Sequence, residues 1–263
     1  MRNSRRQAAF SFWSSHLGLQ DCGCPLDLLF EQGHEHISNS RMQAGLPINI
    51  PGRMRYQAPP AAGTTCAVLI LAAFQAFLCR ARYSQQQLVL DVQPSHLLMP
   101  AASMVLKPPG LKHLPLVPVA CPVVSRCDTL LSHAHKLHRL LLELAPYGLT
   151  GLPYICTAAG IAPAAGATPQ QALFRAGVVY AADAAAGRAA AAGLDVALLL
   201  LPGPKPGSRH VLQALLLTNQ GLFSQEGAGM MARHFEITCT LALRVSAATA
   251  VVSHRTKEQR QAC

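Results

Sequence analysis

Three imidazoles lie within six residues, in Ser132-His133-Ala134-His135-Lys136-Leu137-His138. Imidazole nitrogen binds zinc at neutral pH without first losing a proton in most molecules, and this spacing matches a metal-ligand cluster. His133, His135 and His138 are the candidate ligands, for at most one zinc. Their use depends on the backbone. A strand that ends at Ser132 and turns into a helix at His138 lets the rings converge. On a continuous helix His135 and His138 share a face, and His133 lies about 200° from His135 at ~100° per residue. They are then surface histidines beside a leucine core face. Taken alone, the residues favour this second arrangement.

Other chemistry is sparse. The chain has 12 acids in all. Asp128 is expected to cap a turn or pair with a base, Glu143 to sit on a solvated helix face, and Asp195 to order a loop. The segment 202–208, PGPKPGS, lacks the GxxxxGK[ST] spacing of a phosphate loop, and there is no GxSxG elbow. The nine cysteines form no paired CxxC motifs: Cys22 and Cys24 make CxC, and Cys121 and Cys127 are six apart. An odd count without a secretory signal points to a reducing compartment and mostly buried thiols.

The elements that must position these groups follow from composition and pattern. The 263 residues are 51% apolar and 13% charged, which argues against a wholly disordered chain. The net charge of +10 suggests an anionic partner such as nucleic acid or an acidic membrane face. Dispersed bases, a shortage of acids and only 5% aromatics weaken that suggestion. Residues 1–60 read as an irregular basic region with turn residues such as Pro47 and Pro51. The acid-free start, with Arg2, Arg5 and Arg6, fits a transit peptide or a frayed tail. Residues 61–79 are uncharged and end on Arg80 and Arg82. This segment reads as a buried core helix, with a membrane anchor and lipid contact through Arg80 and Arg82 as the alternative.

Farther along, QLVLDV (87–92) reads as a strand and the proline-rich 93–122 as a loop or edge segment. Strands are expected in Val123–Ser132 and Gly148–Thr157, with a leucine-rich helix beginning at Leu137–Leu144. Thr168-Pro169 suggests a helix start, and Gly193 its end. Asp195–Leu201 reads as a buried strand, 202–209 as a loop and Val211–Leu217 as a helix. In His234–Val245, apolar Phe235, Ile237, Cys239, Leu241, Leu243 and Val245 alternate with their neighbours, which predicts a strand. Interleaved strands and helices make the class α/β. The expected division is an irregular 1–60, one α/β domain over 61–252, and a polar tail 253–263.

LLSHAHKLH, the leucine-rich segment after it, and GLTGLPYICTA together resemble the metallo-β-lactamase superfamily. The upstream QLVLDVQPSHLLMP is similar to that family's strand ending in Asp. The resemblance covers about residues 66–160 and leans toward the degenerate RNA-processing branch, of the Integrator subunit 9 and non-catalytic cleavage and polyadenylation specificity factor type. It implies a partial αββα sandwich with His133, His135 and His138 on the metal motif and Asp91 on the first-motif Asp. Leu137 stands where catalytic members carry Asp, and Asp183 is the nearest candidate for a bridging Asp, although its place in chain order departs from the family. The implied protein lacks a complete two-metal site and acts by association with a protein partner. RNA is a possible ligand class, and the implied location is nuclear. The remaining alternatives are an organellar or membrane-anchored protein and a fragment without autonomous function.

Overall fold

The structure is a computed structural model that describes residues 2–17, 45–50, 66–80, 88–92, 117–122, 124, 128–147, 150–162, 175–181, 183–202 and 212–241. The elements are α1 (Arg2–Leu17), β1 (Leu46–Ile48), α2 (Cys66–Arg80), β2 (Leu88–Val92) and β3 (Val117–Cys121). They continue with α3 (Leu130–Leu144), a short 3-10 turn (Ala145–Tyr147), α4 (Leu152–Ala159), β4 (Ala176–Tyr180) and α5 (Ala184–Ala190). After β5 (Val196–Pro202) and β6 (Leu212–Thr218) the described chain closes with helix α6 over residues 225–241.

The strands form one mixed sheet in the order β1-β6-β5-β4-β2-β3. The centre is parallel, with Val178 of β4 opposite Leu198 of β5 and Asp91 of β2 opposite Gly177 of β4. Both flanks are antiparallel. Each outer strand contains a proline: Pro47 opposite Leu215, and Pro118 opposite Asp91. Proline removes a ladder donor, so an edge strand tolerates it and a central strand does not. Proline-rich sequence thus conceals two real edge strands.

Alternate strand residues face two different cores, as a pleat with period two requires. Ala176, Val178 and Tyr180, with Val196, Leu198, Leu200, Ala214 and Leu216, pack toward the larger helical layer. That layer draws Trp13 and Leu17 from α1, Phe74 and its neighbours from α2, Leu137 and Leu141 from α3, Ile155 from α4, and Met231 and Phe235 from α6. On the other face, Val179, Ala197, Leu199, Leu201 and Leu217 meet Ala191, Leu194 and the alanines of α5. Gly187 makes this contact possible: a Cβ there would lie 2.3 Å from Leu199 Cδ1.

α2 is a core helix, buried from Ala67 to Gln75 and again at Phe77 and Leu78. Phe74 and Phe77 meet Phe235 of α6 at centroid distances of 5.5 and 5.6 Å. Among the described residues no helix is long and apolar enough to cross a membrane. The anchor alternative for 61–79 therefore has no support here. Arg80 is the last residue of α2, and Arg82 lies outside the described residues.

Several local expectations are corrected. α1 forms where irregular chain is expected, because its aromatic residues have partners on later elements. Trp13 is fully buried, Phe12 stacks on Tyr147 at 4.2 Å, and the Tyr154 hydroxyl donates to Arg6 O at 2.8 Å. The strand expected in Gly148–Thr157 is α4, entered through Pro153 in its first turn and closed by Gly160 at φ 69°, with Ile161 N bonded to Cys156 O. The strand expected in Val123–Ser132 gives way to α3, which begins at Leu130 on the Thr129 cap.

The single long helix expected from Thr168 to Gly193 is instead β4 followed by α5, with residues 163–174 outside the described set. The helix expected at Val211–Leu217 is β6, recruited by pairing with β5. The strand expected at His234–Val245 is part of α6 as far as residue 241. Ala228, Met231, Ala232, Phe235 and Cys239 form its buried helical stripe, while Ile237 and Leu241 are exposed. Ser224 caps this helix, its Oγ accepting from Gly227 N at 3.0 Å. The expected strand Asp195–Leu201 matches β5 closely, and QLVLDV matches β2. The loop expected at 202–209 falls largely outside the described residues.

Candidate functional site

The histidine cluster lies on one unbroken helix. Thr129 caps α3 by accepting from Ser132 N at 3.1 Å, and Ser132 Oγ donates back to Thr129 O at 3.0 Å. Asp128 anchors the same turn, accepting from Lys136 Nζ at 2.8 Å on each carboxylate oxygen. This satisfies the expectation that Asp128 pairs with a base. The helix buries His133, Ala134, Leu137, Leu141 and Leu144. Leu137 is therefore a core residue, and its apolar side chain is explained by packing on α3.

His133 and the other two histidines have different environments. His133 is 2% exposed, whereas His135 and His138 are partly buried. The strand–loop–helix turn that would bring the three rings together is absent. Among the described residues no group of three His, Cys, Asp or Glu is placed to hold a metal. Asp183 is the exposed N-cap of α5 and accepts from Ala186 N at 2.8 Å. Asp91 occupies its register position on β2, between β3 and β4.

His133 belongs to a buried polar relay. Gln75, 1% exposed on α2, donates through Nε2 to Pro122 O at 2.7 Å. Its Oε1 faces His133 Nε2 at 2.7 Å, so His133 donates through Nε2. Nδ1 is then the lone-pair nitrogen, buried and without a hydrogen-bond partner among the described residues. Burial lowers the His133 pKa; Asp128 opposes the shift and Lys136 adds to it. The ring is therefore neutral at pH 7. The relay ties α2, α3 and the end of β3 together through groups that would otherwise be buried without partners.

A second imidazole joins α1 to the same edge. His16 Nε2 accepts from Ala120 N of β3 at 3.2 Å, and burial lowers its pKa to about 4. At the opposite end of the sheet, Asp195 accepts from Arg175 Nε at 2.6 Å and from Asn219 Nδ2 at 3.1 Å. Asp195 thereby clamps the entry of β4, the entry of β5 and the exit of β6, fulfilling the expected ordering role. Cys121, Cys156 and Cys239 are buried thiols, and burial pushes Cys239 up to about 12.

Sequence reasoning passes over His16 and the Gln75 relay. Gln75 carries a usable signal: a single amide inside the apolar run 66–79 requires a buried partner. Nothing local in the sequence links His16 to Ala120, which is 104 residues away.

A scan against protein-family models and a search of curated protein sequences find no match. Solved structures do match. The X-domain in complex with OxyB from teicoplanin biosynthesis superposes at a TM-score of 0.67 with 17% identity, over 90% of this chain and 53% of that one. The fold is that of about half of such a domain, and condensation domains share it. A condensation domain of the monacolin K polyketide synthase MokA gives 0.61 at 12% identity, over 92% of this chain and 58% of that one. The starter condensation domain of the rhizomide synthetase RzmA, in a doubly substituted mutant complexed with C8-CoA and Leu-SNAC, gives 0.60 at 16%, over 91% and 53%. The chain thus spans about half the length of each of these structures.

The condensation-domain fold replaces the metallo-β-lactamase resemblance and its αββα sandwich; the class is α/β with a mixed sheet. The degenerate RNA-processing function implied by that resemblance falls with it. The misleading feature was LLSHAHKLH, whose histidine density resembles a metal motif although its Thr129 cap and leucine spacing build a helix.

Proposed function

We propose that this chain is a lobe of a condensation-type unit that works through association with a protein partner, and that neither His133 nor His16 serves it as an acyl-transfer base. The sealing of His133 carries this reading. A general base must come within about 2.6–3.2 Å of the proton that it removes. His133 is buried, and its Nε2 is committed to Gln75. The half-buried His16 has Nε2 committed to Ala120 N. Both act as braces between elements. The likeness to the X-domain, which is seen in complex with OxyB, favours a protein partner over a small substrate.

The catalytic half of the proposal is tested with the thioesters bound by the RzmA domain. The purified chain is incubated with octanoyl-CoA and leucyl-SNAC, and mass spectrometry follows N-octanoylated leucyl product. No product above the protein-free control is expected. Product that disappears in His133→Ala would overturn the reading. The partner half is tested by affinity capture from the source cells, followed by reconstitution from purified components. A stoichiometric complex is expected, and failure to reconstitute any captured protein would refute it.

A further inference from the structure

The two edges of the sheet are closed in the same way. On β3, Ala120 N points away from β2 and donates to His16 Nε2 of α1 at 3.2 Å. Strand residues alternate sides, so Pro118 also faces outward, where it has no N–H to offer. On β1, Pro47 likewise lacks a donor, and two residues on Asn49 N donates to Glu236 Oε1 of α6 at 2.6 Å. Each edge thus combines a proline with a side-chain acceptor carried by a helix. At these positions neither edge offers a donor to another strand.

The two guarding helices are seated differently. α6 is held by its buried stripe from Ala228 to Cys239. On α1, among the side chains of residues 6–17, only Trp13 and Leu17 are fully buried. Toward its start, α1 meets Tyr154, whose ring lies edge-on to the exposed Phe10 at 6.1 Å and whose hydroxyl donates to Arg6 O at 2.8 Å. Trp13 docks at a cost: its Nε1 is buried without a hydrogen-bond partner among the described residues. A buried donor left unpaired forfeits its hydration, which release into water would restore.

We propose that α1 is a releasable strap: it leaves the sheet as a unit while the rest of the fold stays closed, and its departure bares the β3 edge at Ala120. Release breaks the His16–Ala120 bond and the stacking of Phe12 on Tyr147 at 4.2 Å, and it hydrates Trp13 Nε1. β3 itself stays in place without α1. It pairs with β2 over five residues, and Gln75 of α2 holds Pro122 O at its end. Elements with few buried contacts are the ones that open ahead of the global transition. At pH 7.5 the His16 ring is neutral, since burial lowers its pKa to about 4, so Nε2 keeps the lone pair that closes the strap.

Trp13 is the single tryptophan of the chain, so its emission reports the strap alone. The full chain is titrated with urea at pH 7.5, and tryptophan emission is compared with far-UV circular dichroism. Emission is expected to shift to the red at a lower midpoint than the loss of helix. Hydrogen exchange resolved by NMR gives a second reading without denaturant. The amides of α1 and of Ala120 should exchange at least ~10-fold faster than those of β5. His16→Phe, which cannot accept a hydrogen bond, should lower the emission midpoint and leave the dichroism midpoint in place. His16→Gln, whose amide oxygen accepts, should bring the emission midpoint back toward that of the parent. Coincident emission and dichroism transitions in the parent, or an Ala120 amide that exchanges as slowly as β5, would overturn the proposal. So would a His16→Phe variant that moves both midpoints equally. None of these outcomes bears on the acyl-transfer test above.

Discussion

Replacing Gln75 by Leu should destabilise the fold sharply, although Leu has similar volume and higher hydrophobicity. Gln75 is 1% exposed on a helix that is buried on nearly every face. Its amide satisfies two groups at once, accepting from His133 Nε2 at 2.7 Å and donating to Pro122 O at 2.7 Å. Leu leaves the buried His133 N–H and the half-buried Pro122 carbonyl without their partner. Each orphan costs about 1–3 kcal/mol, and the gain in apolar burial offsets part of this. The expected net loss is about 2–4 kcal/mol. Urea denaturation followed by circular dichroism reads it as a fall in the midpoint at unchanged slope. His133→Leu alone should also destabilise, by stranding Gln75 Oε1. The double variant should lose less than the sum, by roughly 1–2 kcal/mol, because it removes both partners of one bond. Strict additivity, or a Gln75→Leu variant within about 0.5 kcal/mol of the parent, would refute the relay.

Gly187→Ala should cost about 1–3 kcal/mol by overpacking, since its Cβ would fall 2.3 Å from Leu199 Cδ1. Leu199→Ala in the same chain should recover part of that loss in a thermal melt. His16 is lowered to about 4 in the folded state from its ordinary 6.5, so the unfolded chain binds the extra proton between those values. Its contribution is complete above pH 6.5 and is lost as pH falls toward 4, and the stability slope across that window should flatten in His16→Gln. Asp195→Ala should cost about 2–3 kcal/mol by releasing Arg175 and Asn219 from the sheet end, read by the same urea titration.

Some of the molecule was legible before folding. The apolar run of β5 could only be buried, and the uncharged run of α2 read as a core helix. Asp128 and Asp195 were readable as local ordering groups, because short polar side chains hydrogen-bond readily to nearby backbone at turns and helix ends. The site was much less legible. Histidine density at 133–138 pointed to metal, but the Thr129 cap and the buried stripe from Ala134 to Leu144 turned the segment into a helix. That choice separates the buried His133 from His135 and His138, which are only partly buried.

Sequence by itself determined the α/β class, the burial of α2 and β5, and the scarcity of acids that leaves few ligands and few proton donors. Tertiary structure decided which period each apolar segment obeys. Phe235 and Cys239 satisfy both alternation and helical spacing; contact with Phe74 and Phe77 selects the helix and leaves Ile237 and Leu241 outside. Pro47 and Pro118 read as breakers until the sheet places them on its edges, where a missing donor costs little. Tertiary contacts also give Gln75 its partner: His133, 58 residues away, closes a bond that no local pattern announces, because burial of a polar group is a property of the whole packed core.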